Sequence, residues 1–212
     1  MDNKLFDKDF KDILSIRYQT DNTNILFPTN HLSKIDPLTR VYCREYFNTQ
    51  LSIQWQDAAY EKTSIALFII DVDDFKSFNK SCDTRSGDYA LQKIAKCLKL
   101  LFRRSTDLVA RNIGDQFIIL VLGMDAIEAE LYEKTIKERI KNLKIYNHLK
   151  KEYLAVSIQH VVHHPKKKSS PAIFLNRLLD DFAKRLPSEH LTEQVDRLTS
   201  IHAVKNIGLP TL

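Results

Sequence analysis

Three aspartates, Asp71, Asp73 and Asp74, close the apolar run S-I-A-L-F-I-I-D-V-D-D. A carboxylate taken out of water needs a partner, so buried strands rarely end in several acids unless something at that end uses them. Another acid, Asp115, follows Gly114 between two strand-like stretches, residues 107–112 and 116–122. The stretches and the Ile113-Gly114-Asp115 turn between them read as a β-hairpin. A sheet that brings the strand end to this turn would gather two carboxylates. With a main-chain carbonyl and phosphate oxygens completing the shell, such a set suits Mg²⁺. Capping the next helix is the competing use for any single one of these aspartates. Ile113 is a β-branched residue where a turn would prefer glycine.

The elements that must position these acids can be read from periodicity. Residues 64–72 form a strand buried on both faces, by length and β-branched content. Apolar residues at helical spacing predict helices over 5–18, 41–61 and 89–104, the last preceded by Gly87-Asp88. A long charge-laced helix over 125–149 follows, then a strand over 152–162, a Lys-rich loop, and helices over 172–186 and 189–204. Strands and helices in this order pack most economically as a central, mainly antiparallel sheet flanked by helices, an α/β (α+β) fold. His160, His163 and His164 are expected in solvent, and Trp55 against the core or a partner helix.

Composition sets the outer bounds. The 212 residues suit one domain with appendages: a helical head over 1–33, the domain proper over 34–186, and over 187–212 a helical extension or the final helix of the domain. Three widely spaced cysteines without a C-x-x-C pair exclude a zinc ribbon or disulfide scaffold. The net charge of +5 permits anionic partners such as nucleotides, and interspersed acids argue against DNA. No signal peptide or apolar run long enough to span a bilayer is present, which predicts a cytoplasmic protein.

Five pieces in register resemble the GGDEF domain of diguanylate cyclases. They are Asp36-Pro-Leu-Thr39, Asp71-Val-Asp-Asp-Phe-Lys76 with Asn79, Gly87-Asp88, Arg104-Ser-Thr-Asp107, and Arg111-Asn-Ile-Gly-Asp-Gln-Phe117. The resemblance implies a GGDEF, nucleotidyl-cyclase palm-like fold and a family in which two GTP molecules are condensed into cyclic di-GMP. It implies Mg²⁺ held by Asp71, the carbonyl of Val72 and Asp115. Lys76 and Gly114 would meet the nucleotide phosphates, and Asn79 and Asp88 would bind the guanine base. An acceptor carboxylate and a side-chain amide can together read a guanine edge.

The departures carry as much weight. The signature G-G-D/E-E-F reads Ile113-Gly114-Asp115-Gln116-Phe117, so the catalytic pair Asp115 and Gln116 is degenerate. Gln116 removes a negative charge from the metal and proton-transfer environment, on which phosphodiester formation depends. Neither Lys184 nor Lys205 fits the family's late phosphate contact well enough to be assigned. Arg104 and Asp107 match a second family site, the R-x-x-D site that binds cyclic di-GMP. The arginine fork can pair with guanine O6 and N7, and Asp107 can accept from N1 and N2.

Together these imply a degenerate GGDEF domain that binds cyclic di-GMP or GTP in second-messenger signalling, with little or no cyclase activity. An active cyclase with an atypical signature and an interaction scaffold that binds no nucleotide are the alternatives. The N-terminal helix leaves homodimerisation and docking on a partner protein both open.

Overall fold

Eight consecutive buried residues, Ile65–Val72, form the central strand β1, with an apolar neighbour needed on both faces. In the computed structural model, which describes residues 34–82, 84–166 and 169–184, both faces are covered. The expected helices at 5–18 and 189–204 lie outside the described residues.

The remaining elements follow in chain order. Helix α1 is Arg44–Glu61, ahead of β1; α2 is Phe75–Ser81 and α3 is Thr84–Leu101. Strands β2, Leu108–Arg111, and β3, Gln116–Leu122, make the hairpin. Helix α4, Ala126–Lys141, leads to short strands β4, Tyr146–Asn147, and β5, Glu152–Tyr153. Strand β6, Val156–His163, and helix α5, Pro171–Ala183, complete the order.

Four strands pair antiparallel in the order β2-β3-β1-β6. Alternation splits β1 between two cores. Ala66, Phe68, Ile70 and Val72 face α3 and α4, meeting Leu91, Ile94, Leu98, Ile136 and Ile140. Ile65, Leu67 and Ile69 face α1 and α5, meeting Phe47, Leu51, Trp55, Leu175 and Leu178. The result is the expected mixed α/β architecture, an antiparallel sheet between two helical layers. The outer edge of β2 is covered at Tyr42, whose N–H donates to Val109 and whose carbonyl accepts from Arg111.

Four expectations are corrected. The helix of 125–149 ends at Lys141, where no glycine or proline marks the stop. Lys144 takes φ 52°, and Asn147 accepts from the amides of Leu149 and Lys150, turning the chain into the β4–β5 hairpin. The strand of 152–162 is two strands in two sheets, broken at Leu154-Ala155, where the Ala155 carbonyl accepts from Asp73 N. Gly87 and Asp88 lie inside α3 rather than before it. The histidines of β6 are only partly solvated: His160 meets Glu133 at 2.8 Å and His163 stacks on Trp55. Trp55 itself is buried and donates its indole N–H to Ser169.

Candidate functional site

The β1–β3 register fixes what faces the acidic end of β1. Asp71 lies directly opposite Gln116, and Val72, the last residue of the strand, lies opposite Val156 of β6. Asp71 and Gln116 are both buried, 6% and 4% exposed, and the Gln116 amide Nε2 donates to Asp71 Oδ2 at 3.0 Å. The other end of the same amide is held as well, because Asn112 Nδ2 donates to Gln116 Oε1. Asn112, Gln116 and Asp71 therefore form one hydrogen-bonded chain from the hairpin to the central strand.

Asp115 sits one residue earlier, buried in the turn and outside the paired strand. The hairpin closes through Asn112 N to Gln116 O at 2.7 Å and Gln116 N to Ile113 O at 2.9 Å. Gly114 takes φ 58°, while neither Ile113 nor Asp115 has positive φ. That is the φ pattern of a turn with glycine at its first central position, which an L side chain would strain. Ile113 consequently imposes no backbone penalty on the turn, contrary to the expectation from its branching. A second brace comes from Arg111, whose Nε donates to the Gly114 carbonyl at 2.7 Å and whose Nη1 lies 3.3 Å from Asp36 Oδ1. Asp36 also accepts from the Thr39 amide and hydroxyl, at 2.7 and 2.6 Å. Burial pushes the Asp36 carboxyl up, but the Thr39 hydrogen bonds and the Arg111 charge together hold it below its usual value.

Asp73 and Asp74 have structural partners. Asp73 accepts from the Ser157 hydroxyl at 2.7 Å, tying β1 to the start of β6. Asp74 pairs with Lys150 of the β4–β5 turn. Among the described residues, no group of three or more His, Cys, Asp or Glu side chains is placed to hold a metal ion.

Asn79 on α2 lies against the first turns of α3. A Cβ at Gly87 would fall 1.9 Å from Asn79 Oδ1, so the absence of a side chain there lets the amide in. That oxygen is buried without a hydrogen-bond partner among the described residues. The fold thus brings Asn79 beside the Gly87-Asp88 stretch, while Lys76 is exposed one turn earlier on α2. Arg104 and Asp107 share the turn between α3 and β2. Asp107 Oδ2 accepts from Arg104 N at 2.9 Å and Asp107 N donates to Arg104 O at 3.0 Å. Asp107 Oδ1 is buried without a partner among the described residues, and burial pushes this carboxyl up against the pull of the Arg104 amide and charge.

Sequence reasoning passed over Asn112, Arg111 and Asp36 as parts of the site. The signal available for Asn112 was its place across the hairpin from Gln116, which only the register reveals.

This arrangement, an antiparallel β2-β3-β1-β6 sheet between helical layers with an acidic strand end beside a hairpin turn, defines a nucleotidyl-cyclase palm-like domain. The profile described as "Diguanylate cyclase, GGDEF domain" matches residues 33–184, and the chain belongs to that family. It is 30% identical over 115 residues to the probable diguanylate cyclase DgcT of Escherichia coli, covering 54% of this chain and 25% of the relative. It is 34% identical over 115 residues to the diguanylate cyclase TpbB of Pseudomonas aeruginosa, covering 52% of this chain and 25% of the relative. The matched region thus spans about a quarter of the length of these curated relatives. The GGDEF domain of DgcB from Caulobacter crescentus, solved with c-di-GMP, superposes with TM-score 0.63 at 20% identity, over 71% of this chain and 88% of that one. A DGC protein from Thermotoga maritima superposes with TM-score 0.53 at 27% identity, over 72% of this chain and all of that one. Among the described residues no helix is long and apolar enough to cross a membrane.

Proposed function

We infer that this is a degenerate GGDEF domain acting in cyclic di-GMP signalling as a nucleotide-binding effector with little or no cyclase activity. The observation that carries this is the Gln116–Asp71 hydrogen bond. Where a phosphoryl-transfer site needs negative charge to hold a metal clamp, the residue facing Asp71 offers a neutral amide. The domain itself is taken as residues 34–186, with 1–33 a head for self-association or docking and 187–212 an extension.

Cyclic di-GMP is the ligand favoured for Arg104 and Asp107. Arg104 is exposed, while Asp107 holds one oxygen to the turn and leaves Oδ1 without a partner among the described residues. The exposed Arg104 guanidinium complements the Hoogsteen edge of guanine, and the Asp107 carboxylate, whose Oδ1 is buried in this structure, would accept from N1 and N2 once the turn opens toward the ligand. GTP is the second candidate ligand, at the former active site. Asn79 and Asp88 would take the base, Lys76 and Gly114 the phosphates, and Asp115 and Gln116 are the altered catalytic pair. Magnesium would enter with that nucleotide, held by Asp71, the Val72 carbonyl and Asp115.

The test is incubation of the purified chain with GTP and Mg²⁺, followed by chromatography for cyclic di-GMP. No product above the no-protein control is expected. Sustained turnover would instead make the chain an active cyclase with an atypical signature.

A further inference from the structure

We propose that Gln54 of helix α1 is a positioning residue for the Arg104–Asp107 turn, holding the backbone of Asp107 where its carboxylate can read guanine. The inference rests on the cyclic di-GMP reading of that turn and adds to it a residue 52 positions before Thr106. The buried stripe of α1 is otherwise apolar, Phe47, Leu51, Trp55 and Ala58, and Gln54 is 8% exposed within it. A methionine or leucine there would complete the stripe with no polar group to satisfy.

The amide of Gln54 is only half satisfied. Its Nε2 donates to the Thr106 carbonyl at 3.1 Å, while Oε1 is buried without a partner among the described residues. Turning the amide over would set its oxygen against that carbonyl, so the orientation is fixed by the one bond it makes. An unpaired buried acceptor is a cost to folding, so stability does not explain a glutamine at this position. What it does provide is a hold on the turn. The Thr106 carbonyl and the Asp107 N–H belong to one planar peptide unit. Gln54 takes the carbonyl, and the Arg104 carbonyl takes the N–H at 3.0 Å. On the other side of Asp107, Leu108 begins β2 and pairs with Leu120 of β3. The backbone is therefore held before and after Asp107. Opening toward the ligand is then confined to the Asp107 side chain, which releases Arg104 N. A backbone set in advance lowers the ordering cost of binding.

Calorimetric titration of the full chain with cyclic di-GMP, in wild type, Arg104→Ala, Gln54→Met and Gln54→Leu, tests this when paired with thermal melts. Both Gln54 variants are expected to bind at least ~5-fold more weakly than wild type while melting no lower. Each removes an unpaired buried acceptor, and Thr106 is exposed, so its carbonyl can turn to water. In hydrogen exchange without nucleotide, the Asp107 N–H should exchange at least ~5-fold faster in Gln54→Met than in wild type, with β1 unchanged. A residue that merely stabilises the fold would lower affinity and melting point together, so both variants melting well below wild type would overturn the proposal. Affinity in the Gln54 variants equal to or tighter than wild type overturns it as well, and so does unaltered Asp107 exchange. Absence of binding by wild type, or binding indifferent to Arg104→Ala, would remove the cyclic di-GMP reading itself, and this inference with it.

Discussion

At Gln116 a nitrogen stands where the family signature has a carboxylate oxygen, and the neighbouring side chains are arranged around that difference. Asn112 and Asp71 satisfy the two ends of the amide, so the residue that departs from the signature also ties the hairpin to the central strand. This was half legible in the sequence. The missing charge could be read from the signature, but its partners could not, because they depend on a cross-strand register no local pattern specifies. The reverse holds for Ile113, where branching suggested strain and the turn demands positive φ only of Gly114. Asp107 gives a prediction at the same scale. Burial raises its carboxyl above the ordinary value, and only the ionised form can accept both N1 and N2 hydrogens of guanine. Cyclic di-GMP affinity is therefore expected to rise as pH passes upward through that raised value and then level off. In Asp107→Asn, affinity is expected to be weaker and this acid-limb dependence lost, as measured by calorimetry between pH 4 and 7.5.

Elements place these residues, and two of them can be perturbed cleanly. Helix α3 accepts Gly87 in its first turns because Asn79 of α2 presses against it. Alanine is intrinsically better than glycine inside a helix by about 1 kcal/mol, which offsets part of the cost of displacing the Asn79 amide. Gly87→Ala should melt within about 1 kcal/mol of wild type yet bind GTP ~10-fold more weakly, a separation visible by comparing melts with titrations. The hairpin brace responds to pH instead. The folded-state carboxyl of Asp36 lies below its unfolded value, so its contribution to stability is complete above the ordinary carboxylate range and is lost as pH falls through the depressed value. Asp36→Asn is expected to cost ~1–2 kcal/mol at pH 7, with the gap to wild type closing in urea melts as pH falls through that depressed value. Strong periodicity made β1, β3 and the body of α3 legible from sequence. Ends set by left-handed lysines and asparagine turns, as after α4, carried no comparable signal.

At the scale of the molecule, family membership was legible because five short motifs fall in register, none of them specific alone, while the strand order came only from the structure. Function is less determined by the fold, since one scaffold can carry different chemistry at the same turn. The two candidate sites differ in what has been altered: the signature turn carries an amide in a hydrogen-bonded chain where the family has a carboxylate, whereas Arg104 and Asp107 keep the residue types of the R-x-x-D motif. The most direct measurement is calorimetric titration of the full chain with cyclic di-GMP, in wild type and Arg104→Ala. Saturable binding by wild type that is lost in Arg104→Ala, with the fold intact by circular dichroism, is the expected result. No heat of binding by wild type, or binding unchanged in Arg104→Ala, would contradict an effector that reads cyclic di-GMP through this turn.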